Sequence, residues 1–109
     1  MFEKVTILFK TKSIFGKGVI FTREALHHIV TRHPEMVGFE TEIIKTITDP
    51  EFIVEGQYNE DIALKHYPDS PLGDKYLVVA YIENGEILTS FFTSKPEKIL
   101  QRGVKWKRS

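Results

Sequence analysis

The stretch KYLVVAYIENGEILTSFFT, residues 75–93, is the clearest structural signal in the chain. Two runs rich in β-branched and aromatic residues flank Asn84-Gly85, a pair that favours the tight turn of a β-hairpin. Pairing about this turn predicts three cross-strand neighbours: Tyr76 with Thr93, Val78 with Phe91, and Ala80 with Thr89. Because alternate residues of a strand point to opposite faces, Thr89, Phe91 and Thr93 share one face of the predicted sheet.

Hydrophobic periodicity and turn residues predict the elements outward from this hairpin. The first half of the chain is predicted to form a strand at 3–10, a short strand or entry segment at 19–21, a helix from Thr22 to about His33 and a helix at 39–48. The second half is predicted to form strands at 52–55 and 61–67, a proline-rich loop at 68–74, a short helix at 96–102 and a basic tail at about 103–109. Helices grouped before strands predict an α+β fold. We expect a single domain over 1–109, with two N-terminal helices packed on one face of an antiparallel sheet, a meander of about four strands.

The composition is that of an ordinary globular domain. The chain has 109 residues, of which 41% are hydrophobic and 28% are charged, and it has no cysteine. Disulfides and thiolate metal sites are therefore excluded. The segment MFEKVTILFK lacks the long apolar run of a signal peptide or a membrane span. These features predict a cytoplasmic protein without a membrane partner.

The charge is unevenly distributed although the net charge is zero. Residues 1–33 hold six Lys and Arg against two Asp and Glu, and residues 95–109 hold six against one. Residues 34–94 hold three against twelve. The two basic ends would form one basic face if they meet in space, a feature typical of nucleic-acid partners. The alternative is a solvated surface without a partner.

The segment HHIVTRHPE, residues 27–35, contains three of the four histidines in the chain. His28 and Arg32 are four residues apart and therefore share one side of the predicted helix. Imidazole titrates near neutral pH, and a guanidinium holds an anion, so the pair suits proton transfer at a phosphodiester. The alternative is an exposed helix side without a role, and His33, near the buried stripe, is equally compatible with a structural histidine.

No metal or cofactor is expected. Two histidines aimed at one ion from a helix require a spacing of four residues or an HExxH motif, and the segment has neither. A nucleophilic serine motif and a cysteine nucleophile are also lacking in the sequence.

The basic C-terminal segment is a candidate for binding nucleic acid. Arg102 and Lys105 precede Trp106, and two more cations follow it. Cations can bind backbone phosphates while the indole stacks on a base. The alternative is a solubilising terminus whose tryptophan packs into the core.

The order of these motifs resembles the barnase–EndoU–colicin–RelE-like nuclease superfamily, in particular its small phage- and toxin-associated members. The resemblance spans roughly residues 19–95 and is carried by His28, Ile29, Arg32, His33, Pro34 and Glu35, then Asp49-Pro50 and Ile53, then Leu77-Val78-Val79, and then residues 87–95. Phe92 stands where the superfamily often has a tyrosine.

The resemblance implies a metal-independent, toxin-like endoribonuclease. In such enzymes the 2′-hydroxyl of RNA attacks the adjacent phosphate, which leaves a cyclic phosphate and a 5′-hydroxyl. The residues that match the superfamily's catalytic positions are His28, Arg32, His33, Thr89 and Thr93. Lys95 matches a basic position beyond the last strand and, with Arg102, Lys105 and Trp106, is expected to bind the substrate. RNA is the expected partner, and the toxin-like class makes an antitoxin or immunity protein a candidate partner.

Three hypotheses follow from the sequence. The first is an RNA-cleaving, toxin-like domain. The second is a catalytically silent RNA- or protein-binding module on the same fold, because a fold does not by itself establish an activity. The third is an unrelated small α+β protein with a structural role.

Overall fold

The hairpin about Asn84 forms in the predicted register. A computed structural model describes residues 5–109 of the chain. Its strands pair Tyr76 with Thr93, Val78 with Phe91, and Ala80 with Thr89. Asn84 has a φ of 62°, the left-handed conformation that favours Asn and Gly in such turns. A register shift beyond Ala80 leaves Leu88 outside the ladder, where 40% of its surface is exposed.

The chain forms seven strands and three short helices within residues 5–109. In chain order they are β1 (Ile7–Lys12), β2 (Gly18–Thr22), α1 (Arg23–Arg32), a single 3₁₀ turn (Pro34–Met36), α2 (Glu40–Thr48), β3 (Phe52–Glu55), β4 (Asp61–Ser70), β5 (Gly73–Tyr81), β6 (Gly85–Thr93), α3 (Glu97–Leu100) and β7 (Val104–Lys107). The start of the strand predicted at 3–10 lies outside the described residues. The helix predicted at 39–48 is confirmed as α2, with Ile43 and Ile47 buried.

The predicted architecture, two helices on an antiparallel sheet of about four strands, is wrong. The sheet has seven strands in the order β1-β2-β6-β5-β4-β3-β7, and it is mixed because β2 runs parallel to β6. That parallel pairing joins Val19 to Gly85 and Ile20 to Glu86. Strands so far apart in sequence are not linked by a tight turn, so no turn motif in the sequence predicts that they pair.

The loop predicted at 68–74 is also wrong. β4 continues to Ser70 and β5 begins at Gly73, so only a two-residue turn separates the strands. The ladder is irregular between Tyr67 and Ser70. A strand accepts proline at such an irregularity, because proline has no N–H to donate to the ladder. Pro68 therefore interrupts the pattern of the sequence without ending the strand.

The C-terminal residues predicted as a basic tail form an edge strand instead. β7 pairs with β3, which places Trp106 opposite Ile53 and Lys107 opposite Phe52. Lysines are common on edge strands, where they discourage further pairing. β1 lies at the opposite edge of the sheet, but the turn that joins β1 to β2 approaches β7, where the Phe15 ring lies 5.4 Å from Nζ of Lys105. The two ends of the chain therefore come close to each other at this turn.

The sheet separates two groups of buried side chains. The helix face, which includes Leu77, Val79 and Tyr81, packs against Ile29 of α1 and Ile43 of α2. The opposite face carries a smaller cluster built on Leu64, Val78 and Ala80, against which Phe91 and residues of α3 pack. α3 thus covers part of the face that carries Thr89 and Thr93.

Leu77→Ala should destabilise the domain by about 2–5 kcal/mol, because it opens a cavity at a side chain that is fully buried in the helix face. Urea unfolding followed by circular dichroism measures the difference. Leu88→Ala is the matched control, since the same truncation at a 40% exposed side chain should cost less than about 1 kcal/mol. Equal losses in the two variants would contradict this assignment of the core.

Candidate active site

Helix α1 carries the histidine cluster between two well-defined ends. Thr22 caps its start, with its hydroxyl oxygen accepting a hydrogen bond of 3.0 Å from the backbone N–H of Ala25. The helix ends at Arg32, and His33 leaves the helical conformation ahead of Pro34. His28 and Arg32 are both exposed. Within residues 5–109, neither side chain forms a hydrogen bond or an ion pair.

His33 is the residue of this cluster that reaches the predicted hydroxyl face. Its ring is half-buried and lies 5.4 Å from the ring of Phe91, centroid to centroid, at an angle of 32°. Its Nδ1 is 3.5 Å from Oε1 of Glu35. Phe91 stands between Thr89 and Thr93 on the same face of β6. The structure therefore brings an imidazole to the strand that carries both hydroxyls.

The two threonines differ in their surroundings. Thr89 lines a cavity of about 180 Å³ on the opposite face together with Ile99 and Arg102. Thr93 accepts a hydrogen bond of 3.1 Å from the backbone N–H of Lys95, which fixes the chain as it leaves β6. His28 and Arg32 do not line the cavity at Thr89. Thr89 and Arg102 are thus brought together, whereas Thr89 and the exposed side of α1 are not joined by a shared cavity.

Lys105 and Trp106 lie on the other side of the sheet from Thr89. Lys105 Nζ is 2.7 Å from Oδ1 of Asp61 and 5.4 Å from the centre of the Phe15 ring. Trp106 is half-buried opposite Ile53. Asp61 and Ile53 belong to the ladder positions that face the helices. Of the predicted substrate-binding residues, only Arg102 shares a cavity with Thr89.

A second imidazole, that of His66, lies on the opposite face and matches no motif of the sequence. His66 Nε2 lies 2.6 Å from Oδ1 of Asp74, and its ring stacks on Tyr76 at 4.6 Å between centroids. Ladder pairing aligns His66 with Tyr76 and Tyr76 with Thr93 across three strands. His66 and Thr93 are therefore roughly 10 Å apart at the backbone. A loop at 68–74 would not align His66 with Tyr76, so the sequence prediction missed this pairing. A tight turn just before Gly73 would have predicted it.

A buried polar cluster lies near the other end of β5. Asp61 is 5% exposed and Tyr81 is fully buried. Within residues 5–109, Oδ2 of Asp61, the Tyr81 hydroxyl and both carboxylate oxygens of Glu83 have no hydrogen-bond partner. Burial raises the pKa of Tyr81, and the charges of Glu83 and Asp61 raise it further. Burial also raises the pKa of Glu83, with Ser13 and Lys17 opposing and Asp61 adding to the shift.

No helix within the described residues is long and apolar enough to cross a membrane. Residues 5–109 also contain no group of three or more His, Asp or Glu side chains arranged to hold a metal ion.

Comparison with known proteins adds no family to this description. No protein-family model matches the chain, and neither a curated protein nor a solved structure matches it. The fold and the candidate site define a small α+β domain with a mixed seven-stranded sheet and a polar face beside a histidine-bearing helix. The resemblance to the nuclease superfamily rests on the sequence motifs alone.

Glu83→Gln should stabilise the domain above neutral pH. Because the folded-state pKa of Glu83 is raised above its ordinary value of 4.5, the folded state loses stability as pH rises through that raised pKa. An amide at this position has no charge to bury. We expect the variant to have a higher urea midpoint than the unmodified protein at pH 7.5. The difference between the two midpoints should shrink towards pH 4, where Glu83 is protonated in the folded state and largely protonated in the unfolded state.

Glu86→Gln is the matched control, because Glu86 is exposed on the neighbouring strand. Its urea midpoint should follow that of the unmodified protein at both pH values. A Glu83→Gln variant that is equally or less stable at pH 7.5 would contradict the assignment of Glu83 as a buried, destabilising carboxylate.

Proposed function

We propose that the protein is a metal-independent endoribonuclease of toxin-like type that acts in the cytoplasm. The observation that carries this proposal is the contact between His33 and Phe91, at 5.4 Å between ring centroids, which sets an imidazole beside the strand of Thr89 and Thr93. An imidazole, hydroxyl donors and cations along one surface are the groups needed to move a proton and to stabilise charge on a phosphoryl group.

His33 is the proposed proton-transfer residue. Its Nδ1 lies near the Glu35 carboxylate, so Nε2 is the nitrogen left to exchange a proton with the RNA. The carboxylate and the Phe91 ring restrict the orientation of the imidazole from two sides. A positioned imidazole exchanges protons efficiently near neutral pH, and such groups typically contribute about 10²–10⁴-fold to a rate.

The remaining predicted residues supply charge and hydrogen bonds. The hydroxyls of Thr89 and Thr93 can donate to phosphoryl oxygens, and Arg102 adds a cation beside Thr89. Lys95 follows Thr93 directly and is exposed. On α1, the exposed pair His28 and Arg32 can hold the neighbouring nucleotide. Lys105 and Trp106 face the helices, and the proposal does not use them.

The nucleophile is part of the substrate. The 2′-hydroxyl of the ribose attacks the adjacent phosphorus, its proton passes to a base, and the 5′-oxygen leaves with a proton from an acid. The bond broken is the P–O5′ bond, and the products are a 2′,3′-cyclic phosphate and a 5′-hydroxyl. This chemistry needs no activated serine or cysteine in the protein, consistent with the sequence.

Purified protein should cleave single-stranded RNA in the presence of a chelator. His33→Ala should lower the cleavage rate by roughly 100-fold or more, because it removes the proposed proton-transfer group. Arg32→Ala should lower the rate by a smaller factor, because Arg32 is proposed to hold the neighbouring nucleotide. The measurement is the initial rate on a fluorescent oligonucleotide, together with identification of the product ends. His27→Ala is the matched control, since His27 is an exposed neighbour on α1 and should leave the rate unchanged.

The outcomes separate the hypotheses. Equal cleavage by all variants would identify a contaminating nuclease. Loss of cleavage in His66→Ala alone would move the chemistry to the pair of His66 and Asp74. RNA binding without cleavage by the unmodified protein would identify the catalytically silent module.

RNA affinity should fall steeply as salt increases, because cations that neutralise phosphates release bound counterions. For single strands, each phosphate contact adds about 0.7 to the slope of log affinity against log salt. The double variant Lys95→Ala/Arg102→Ala should lower this slope by about one to two. Lys45→Ala, an exposed lysine on α2, should not change it, and a change of equal size would argue against this binding surface.

A further inference from the structure

A second cavity, of about 300 Å³, lies on the helix face between α2 and the turn that joins β4 to β5. Three aromatic side chains, Phe39, Tyr67 and Phe92, line it together with the carboxylates of Glu42 and Asp69. Phe92 belongs to the helix-face cluster, whereas its neighbour Phe91 belongs to the opposite face. This cavity is therefore separate from the surface proposed to bind RNA.

The three rings are arranged around Phe92. The Phe39 ring lies 5.0 Å from the Phe92 ring at an angle of 76°, and the Tyr67 ring lies 6.5 Å from it at 81°. In both contacts the two ring planes are nearly perpendicular, so the three rings that line the cavity do not lie in one plane. The face of an aromatic ring carries negative potential and attracts a cation within about 6 Å of its centre.

The two carboxylates make the cavity electrically negative. Within residues 5–109, Glu42 and Asp69 form no ion pair, and the residues that line the cavity include no Lys, Arg or His. Burial raises the pKa of Tyr67, and the charge of Glu42 raises it further despite the opposing effect of Thr46. The Tyr67 hydroxyl donates to the backbone oxygen of Glu42 at 3.4 Å, which holds the ring at the edge of the cavity.

We propose that this cavity binds an organic cation, an alkylammonium or guanidinium group carried on an apolar stem. The rings and the carboxylates attract the positive charge, and the apolar lining accepts the stem. Two unpaired carboxylates disfavour a phosphate-bearing ligand, so this binding does not depend on RNA. The same chemistry is offered by a free amine and by a lysine or arginine side chain of another protein.

Butylguanidinium is the probe, and butylurea, which has the same shape without the charge, is the matched control ligand. Titration of isotope-labelled protein followed by NMR should move the signals of Phe39, Tyr67 and Phe92 first. We expect butylguanidinium to bind at least roughly tenfold more tightly than butylurea. The neutral urea has no positive charge for the carboxylates and the ring faces to attract.

Variants at the two carboxylates test the site, because Asp69 is exposed and Glu42 is only half-buried. Glu42→Gln and Asp69→Asn should each weaken butylguanidinium binding by roughly fivefold. Glu40→Gln should leave it unchanged, because Glu40 lies on the same helix but does not line the cavity. Lys75 is the ladder partner of Tyr67, and Lys75→Gln should strengthen binding by removing a neighbouring positive charge.

The results distinguish the source of the ligand as well as the existence of the site. Tighter binding of a short arginine-containing peptide than of butylguanidinium would indicate a protein side chain, and equal binding would indicate a free cation. Equal affinity for butylguanidinium and butylurea, or an equal loss in Glu40→Gln and Glu42→Gln, would overturn the proposal. None of these measurements uses RNA, so they stand or fall independently of the proposed ribonuclease activity.

Discussion

The unequal pairing of β6 with its two neighbours determines how the candidate site is built. β6 pairs with β5 along most of its length, but it pairs with β2 only at Gly85 and Glu86. The chain leaves β2 at Thr22 and enters α1 at once, so the helix rather than a strand packs beside the rest of β6. The end of α1 thereby comes to Phe91, and His33 is placed beside the strand of Thr89 and Thr93.

Part of the basic charge of the chain is paired with carboxylates within the fold. The basic C-terminal segment returns to the acidic middle through β7, where Lys105 meets Asp61 and Arg108 meets Asp49. Lys65 also contacts Asp49, at 3.2 Å. Cations that are already paired in this way have less to gain from a phosphate. Within residues 5–109, the cations that form no ion pair include those of α1 and of the segment that follows β6.

Local signals predicted those parts of the fold that local interactions determine. Asn84 and Gly85 predicted the hairpin in its register, and this register correctly put Thr89 and Thr93 on one face. The parallel pairing of β2 with β6 depends on contacts between residues that are distant in sequence, and neither a turn motif nor a hydrophobic periodicity predicts such contacts. The position of His33 beside Phe91 depends on this pairing and could not be predicted either.

The remaining differences from prediction have local causes. Pro68 resembled a strand terminator but stands at an irregularity of β4, and this concealed the alignment of His66 with Tyr76. A similar irregularity, the register shift beyond Ala80, leaves Leu88 of β6 exposed. Such irregularities are missed when a strand is treated as a uniform ladder. Bulges change which side chains face the core without changing the composition of the strand.

Adjacent residues of β6 serve two surfaces with different chemistry. Phe91 packs against His33 on the face proposed to bind a phosphodiester, and Phe92 packs against Phe39 and Tyr67 beside two carboxylates. A tyrosine at position 92 would therefore lie on the face of the acidic, aromatic cavity, opposite to the face that carries Thr89 and Thr93. Phenylalanine at this position removes no group from the proposed catalytic face. It keeps the second cavity lined by an unsubstituted ring, which favours a cation over a hydrogen-bonding neutral ligand.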